Sequence, residues 1–160
     1  LAGKVREFGV SNFRPSEVSL LQSSCKCSLI VNQVEISLLQ LSRLRDGTLD
    51  QCQERRIVPL AWSPLGAGLL GEGAVSLLPS QKGYRPAVIV EELDKISLAR
   101  GVSRTAVALA WLLAHPSGII PIIGSTKPER IRVAATAAEL QLTREEWYRL
   151  LEVALGERLP

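Results

Sequence analysis

The sequence predicts an α/β domain in which four parallel strands alternate with helices. Three observations support this. Short apolar runs at 5–10, 29–36, 57–62 and 119–123 have strand length. The longer segments after them repeat apolar residues at helical spacing. The runs also end on small or amide-bearing polar residues: Gly9-Val10-Ser11-Asn12-Phe13, Val31-Asn32-Gln33-Val34-Glu35, and Ile123-Gly124-Ser125-Thr126 with Arg130. Sites in parallel α/β folds are built from such strand ends.

The elements follow in order. After the strand at 5–10, Pro15 suits the first turn of a helix that Val18, Leu21 and Gln22 carry to about Ser24. Residues 29–36 form the second strand. Asp46-Gly47 is a turn, and a helix over 48–55 puts Leu49 and Cys52 on one face. The third strand, 57–62, runs into Ser63-Pro64-Leu65-Gly66. A loop over 66–85 is kept irregular by Gly71, Gly73, Pro79 and Gly83 and closed by Pro86. Residues 87–99 are helical through Ile89, Leu93 and Ile96, with Gly101 as C-terminal cap. Ser103 caps the next helix, which turns Val107, Ala110, Trp111 and Ala114 inward and stops at Pro116. The fourth strand is 119–123. Pro128 opens a helix with a small-residue face of Ile131, Ala134, Ala135 and Ala138. Thr143 and Glu146 form a capping box, Trp147, Leu150, Leu151 and Ala154 form the apolar face behind it, and Gly156 ends that helix.

This pattern fits an open doubly wound sheet or part of a closed barrel. A doubly wound dinucleotide binder usually carries Gly-x-Gly-x-x-Gly after its first strand, and the turn at 9–13 lacks that spacing.

Composition narrows the function classes. The chain has 160 residues, 46% hydrophobic and 22% charged, and one folded domain over 1–160 is expected. Net charge is +3 with acidic residues between the basic ones, so no nucleic-acid stripe is expected. No apolar run reaches the ~18 residues of a membrane span, and residues 1–6 show no signal-peptide pattern. Cys25, Cys27 and Cys52 are an odd number and fit a reducing, cytoplasmic compartment. Cys25-Lys26-Cys27 with a single His makes a poor metal set.

Several residues have both a structural and a functional reading. Asn32, Gln33 and Glu35 interrupt the second strand, and alternation puts Gln33 and Glu35 on one face and Asn32 and Val34 on the other. Gln33 is either a hydrogen-bonded structural amide or a partner for a ligand carboxamide, since it carries both a donor and an acceptor. Ser11-Asn12 is either a capping turn or a second pair of groups for that carboxamide. Trp62 either packs in the core or stacks on a planar ring. The segment 124–128 precedes a helix N-terminus, where free N–H groups attract anions and Arg130 can fork onto a phosphate. Its structural reading is a helix cap by Thr126.

The segments 3–13, 32–35, 59–68 and 122–130 resemble, in order and spacing, the fifth to eighth strands of aldo-keto reductases. The chain is most similar to a bacterial subgroup of oxidoreductases of undefined substrate. The resemblance implies the C-terminal half of a TIM (β/α)8 barrel and an NADPH cofactor. It implies that Ser11, Asn12 and Gln33 hold the nicotinamide carboxamide and that Trp62 stacks on the ring. Ser63, Leu65 and Gly66 would line the pyrophosphate, and Ser125, Thr126 and Arg130 would take the adenosine 2′-phosphate. Two positions depart from the family: Gly124, where many members carry Lys, and Ala134, where many carry Asn. Lys127 is a partial substitute for the former.

The family's catalytic Asp, Tyr, Lys and His lie on the first half of its barrel, and this chain matches the second. His115, Tyr84, Lys82 and Tyr148 do not fit those roles, so no catalytic residue is assigned. The expectation is a fragment of an NADPH-dependent reductase of aldehydes and ketones, inactive by itself. A non-catalytic nucleotide-binding module is the second reading, and a phosphate-binding barrel isomerase the third. Four strands leave two open edges, so self-association is also expected.

Overall fold

The computed structural model describes residues 3–72, 77 and 83–159. Leu1, Ala2, Gly73, Pro79 and Lys82 lie outside the described residues. The sheet contains β1 (Phe8–Ser11), β2 (Leu29–Glu35), β3 (Val58–Trp62) and β4 (Ile120–Pro121), in the order β1-β2-β3-β4. All three pairings are parallel. The helices are α1 (Pro15–Ser24), α2 (Thr48–Arg55), α3 (Pro86–Arg100), α4 (Arg104–Leu113), α5 (Pro128–Ala135) and α6 (Arg144–Leu155). Sequential parallel strands joined by helices are the arrangement of consecutive units of a (β/α)8 barrel, whereas a doubly wound sheet reverses its strand order at a switch point.

Register fixes which side chains share a face. Ser11 pairs with Gln33, Gln33 with Leu60, and Leu60 with Ile120. Alternate residues, Asn32, Val34 and Ala61, point to the helical layer and are buried. There Val34 and Ala61 join Leu93, Val107, Trp111, Ile119 and Leu150 in the main core. Gly9 allows the β1–β2 approach, because a Cβ there would lie 2.1 Å from Val31 Cγ2.

α6 docks through two tryptophans. The Trp111 indole N–H donates to the Trp147 carbonyl at 3.1 Å, and the Trp147 N–H donates to the Trp111 carbonyl at 2.9 Å. The rings stack at 5.2 Å between centroids. Both indole donors are thereby satisfied. Glu92 on α3, only 7% exposed, accepts from Arg149 of α6 at 2.8 Å and from Lys95 at 3.4 Å. This pairing offsets the cost of burying the carboxylate.

Four local expectations are corrected. β1 begins at Phe8 rather than at residue 5, and Val5 is exposed with no strand to pair against. β4 is two residues long, extended only by the Ile122 N–H bond to the Ala61 carbonyl at 2.8 Å. Pro121 has no N–H, and β3 turns away at Ser63, so Ile123 finds no ladder. Ala114 is exposed beyond the last turn of α4. The face of α5 is Ala134 continued by Ala137, packed on Ala106, Leu109 and Ala110; Ile131, Ala135 and Ala138 are exposed. The 3₁₀ turn Thr136–Ala138 after α5 rotates the small-residue stripe by one position.

After β3 the chain makes a tight left-handed turn, with positive φ at Ser63, Gly66, Ala67 and Gly68. Gly66 has φ +56, and a Cβ there would lie 2.5 Å from Leu39 Cδ1. Gly66→Ala is expected to lower stability by about 1–2 kcal/mol through left-handed strain. The urea midpoint should fall with an unchanged slope, whereas Gly124→Ala, which meets nothing within 4 Å, should leave it in place.

Burial pushes the Cys52 thiol up to about 11. Cys27 is exposed, Cys25 is half-buried and Cys52 is buried. At pH 8 an aromatic disulfide reagent should modify Cys27 first, and Cys52 only after unfolding. Equal rates for all three thiols in the folded protein would contradict this packing.

Candidate functional site

Because the sheet is parallel, the C-terminal ends of its strands share one edge, and the predicted site residues lie at or beyond that edge. Asn12 leaves β1 with φ 59, a left-handed conformation that Asn tolerates. Its N–H donates to the Gln33 carbonyl at 2.8 Å, and the Ser11 hydroxyl donates to the same carbonyl at 3.1 Å. The Trp62 indole N–H donates to Asn12 Oδ1 at 3.0 Å. The ends of β1, β2 and β3 are thus linked by side chains that the sequence singles out separately.

The two amides of β2 have different roles. Asn32 is 1% exposed and donates through Nδ2 to the Phe13 carbonyl at 2.9 Å, so it is a structural amide. Its Oδ1 is buried without a partner among the described residues. Gln33 faces the other way, half-buried, and its side-chain amide makes no hydrogen bond among the described residues. Asn12 Nδ2 is likewise left with its donors. One rim therefore offers N–H donors from Asn12, both functions of Gln33, and the lone pairs of Ser11 Oγ. That set suits a ligand carrying a carbonyl oxygen beside an amide nitrogen.

Glu35 pairs in register with Trp62 on the same face. Burial raises its carboxyl pKa, and the Arg43 charge opposes the shift. Burial and the Glu35 charge push the Tyr84 phenol up.

Ser63, Leu65 and Gly66 form the turn directly after Trp62. The Gly66 N–H donates to the Ser63 carbonyl at 2.8 Å. The Leu65 side chain packs against the core, so only its main chain is left for the rim.

Ser125, Thr126 and Arg130 follow β4. Thr126 is not the cap: Lys127 is the N-cap residue of α5, and the Ser125 hydroxyl accepts from the Lys127 N–H at 3.2 Å. Pro128 at the first helical position shifts the cap one residue beyond Thr126. Arg130 is exposed, with no ion pair among the described residues. Glu129 shares its turn.

His115 lies in the connection that enters β4, at the opposite edge of the sheet. Its Nδ1 accepts from the Ser117 N–H at 3.2 Å, which leaves the ring proton on Nε2. Burial lowers its pKa. Tyr148 lies on α6 against Trp147, also away from the rim.

Among the described residues, no single helix is long and apolar enough to cross a membrane. Comparison with known proteins agrees with the fold. The profile of the Aldo/keto reductase family matches residues 1–154. The chain is 44% identical to 6-dehydroglucose reductase of Agrobacterium fabrum over 158 residues, covering 99% of this chain and 50% of that protein. It is 45% identical to oxidoreductase YdhF of Escherichia coli over 160 residues, with 99% and 50% covered. A thermostable aldo-keto reductase solved with the inhibitor epalrestat superposes with a TM-score of 0.77 at 26% identity, over 92% of this chain and 48% of that one. The chain spans about half the length of the curated relatives it matches. With the parallel half-barrel and its strand-end site in place, the family match over 1–154 makes the chain a member of the aldo/keto reductase family of oxidoreductases.

Proposed function

We propose that this chain forms the cofactor-binding side of an NADPH-dependent reductase of aldehydes and ketones. The observation that carries the reading is the open amide set at one rim: the unpaired Gln33 side chain and Asn12 Nδ2, beside Ser11. A carboxamide uses a donor and an acceptor together, and these residues present both. The residues fit the cofactor. Asn12 and Gln33 would hold the carboxamide, and Trp62 would cover the ring. The turn of Ser63, Leu65 and Gly66 would take the pyrophosphate, and Ser125, Thr126 and Arg130 the 2′-phosphate. NADPH, when bound, supplies the hydride that reduces the carbonyl carbon.

No described side chain is assigned as the proton donor to the carbonyl oxygen. That role is proposed for residues on strands that this sequence does not contain, so the chain alone is inactive in reduction. The substrate is a small carbonyl compound. 6-Dehydroglucose, in the name of one relative, is the first candidate to test with a complete barrel. We place the protein in the cytoplasm on the strength of its free cysteines.

Titration of this chain with NADPH should quench Trp62 fluorescence or transfer its energy to the reduced ring; no change at millimolar cofactor rejects the reading. Arg130→Ala should weaken NADPH more than NADH, since losing a charge-assisted contact costs about 1.5–3 kcal/mol. Equal weakening of both cofactors would remove Arg130 from the 2′-phosphate.

The open edges carry exposed apolar residues, with Phe8 46% and Ile120 51% exposed. We infer that copies of this chain associate through them. Size-exclusion chromatography at micromolar concentration should show species larger than a monomer; a stable monomer contradicts this.

A further inference from the structure

We propose that Trp62 is a positioning residue that sets the orientation of the Asn12 amide, so that Asn12 presents its N–H donors to the rim while its oxygen is held on the Trp62 indole. The ligand in this inference rests on the carboxamide reading above; the orientation itself does not.

An Asn side chain has nearly the same shape with its oxygen and nitrogen exchanged, so packing alone does not decide which atom faces a ligand. A hydrogen bond does decide it. An indole N–H can only donate, so the atom 3.0 Å from Trp62 Nε1 must be Oδ1. The reverse orientation would set two donors against each other. Nδ2 is then turned away from Trp62 with both its hydrogens, and it has no other partner among the described residues.

The rest of Asn12 is fixed independently. Its main-chain N–H is held on the Gln33 carbonyl at 2.8 Å, and φ 59 sets the departure of the side chain from β1. The backbone leaves rotation about χ1 and χ2 free, and the bond from Trp62, two strands away, restrains both. The rim is therefore prepared for an acceptor at Asn12 and for a donor at the Gln33 oxygen. A ligand whose carbonyl oxygen and amide nitrogen lie side by side meets both without reorganising the protein.

The test uses this chain, labelled with ¹⁵N. Its three tryptophans give three indole N–H signals, and Trp62→Phe identifies one of them by its loss. Asn12→Gly keeps the left-handed backbone and removes the amide. In that variant the Trp62 indole signal should move upfield and exchange with solvent faster, while the Trp111 and Trp147 signals stay in place. Asn12→Asp keeps an acceptor for Trp62 but offers no donor, so the indole signal should remain near its wild-type position while binding of reduced nicotinamide mononucleotide falls. Trp62→Phe keeps an aromatic ring and should weaken that ligand about fivefold, the worth of one ordinary hydrogen bond. Binding of 2′,5′-ADP should be unchanged in all three variants. An indole signal indifferent to Asn12→Gly overturns the proposal, whether or not any nucleotide binds. If the indole signal responds but the wild-type chain binds no reduced nicotinamide mononucleotide, the orientation stands and the carboxamide reading fails. If the ligand binds and Trp62→Phe matches wild type, Trp62 does not position Asn12 for it.

Discussion

The parallel ladder of β1, β2 and β3 is the constraint on which the rest depends. Parallel pairing brings every strand out at the same edge, and a fixed register lines up same-face residues in rows. With Ser11 opposite Gln33 and Glu35 opposite Trp62, groups far apart in sequence become neighbours. A slip of one residue in β2 would exchange Gln33 for Asn32 on the rim and bury a polar face in the helical layer. The register is held from both sides: Val34 and Ala61 are fully buried among the helices, and Gly9 lets Val31 lie across β1.

The helical layer gives the sheet its support through a small number of polar ties within an apolar core. The reciprocal indole–carbonyl bonds of Trp111 and Trp147 and the Glu92–Arg149 pair attach α6 to α4 and α3. In each case the buried polar atom has its partner, which keeps its desolvation cost low.

Much of this was legible in the sequence because it was local. The start of α1 at Pro15, the span of α2, the Ser103 cap of α4 and the Thr143–Glu146 box all follow from residues within one turn of each other. The alternation that separated Gln33 from Asn32 is likewise local, and the structure keeps it. Of the misplaced features, one is decided at a distance and two by the neighbouring backbone. β4 is short because β3 leaves it no partner after Ser63. The stripe on α5 shifts because a 3₁₀ turn follows it. Thr126 loses the cap because Pro128 sets the helix start. The bond between Trp62 and Asn12 could not be read from spacing, since fifty positions separate the two residues and only the ladder brings them together. At the family level the four strand-end segments sufficed, because each pairs a strand with its own loop.

The stacked pair of indoles gives the chain a built-in division of optical signals. Two of its three tryptophans share one face-to-face contact inside the helical layer, and the third stands at the mouth of the half-barrel. Transitions of the close pair couple to each other, whereas the solitary ring responds to its own surroundings. Loosening between α4 and α6 and events at the strand ends can therefore be followed separately in one sample, without adding a label.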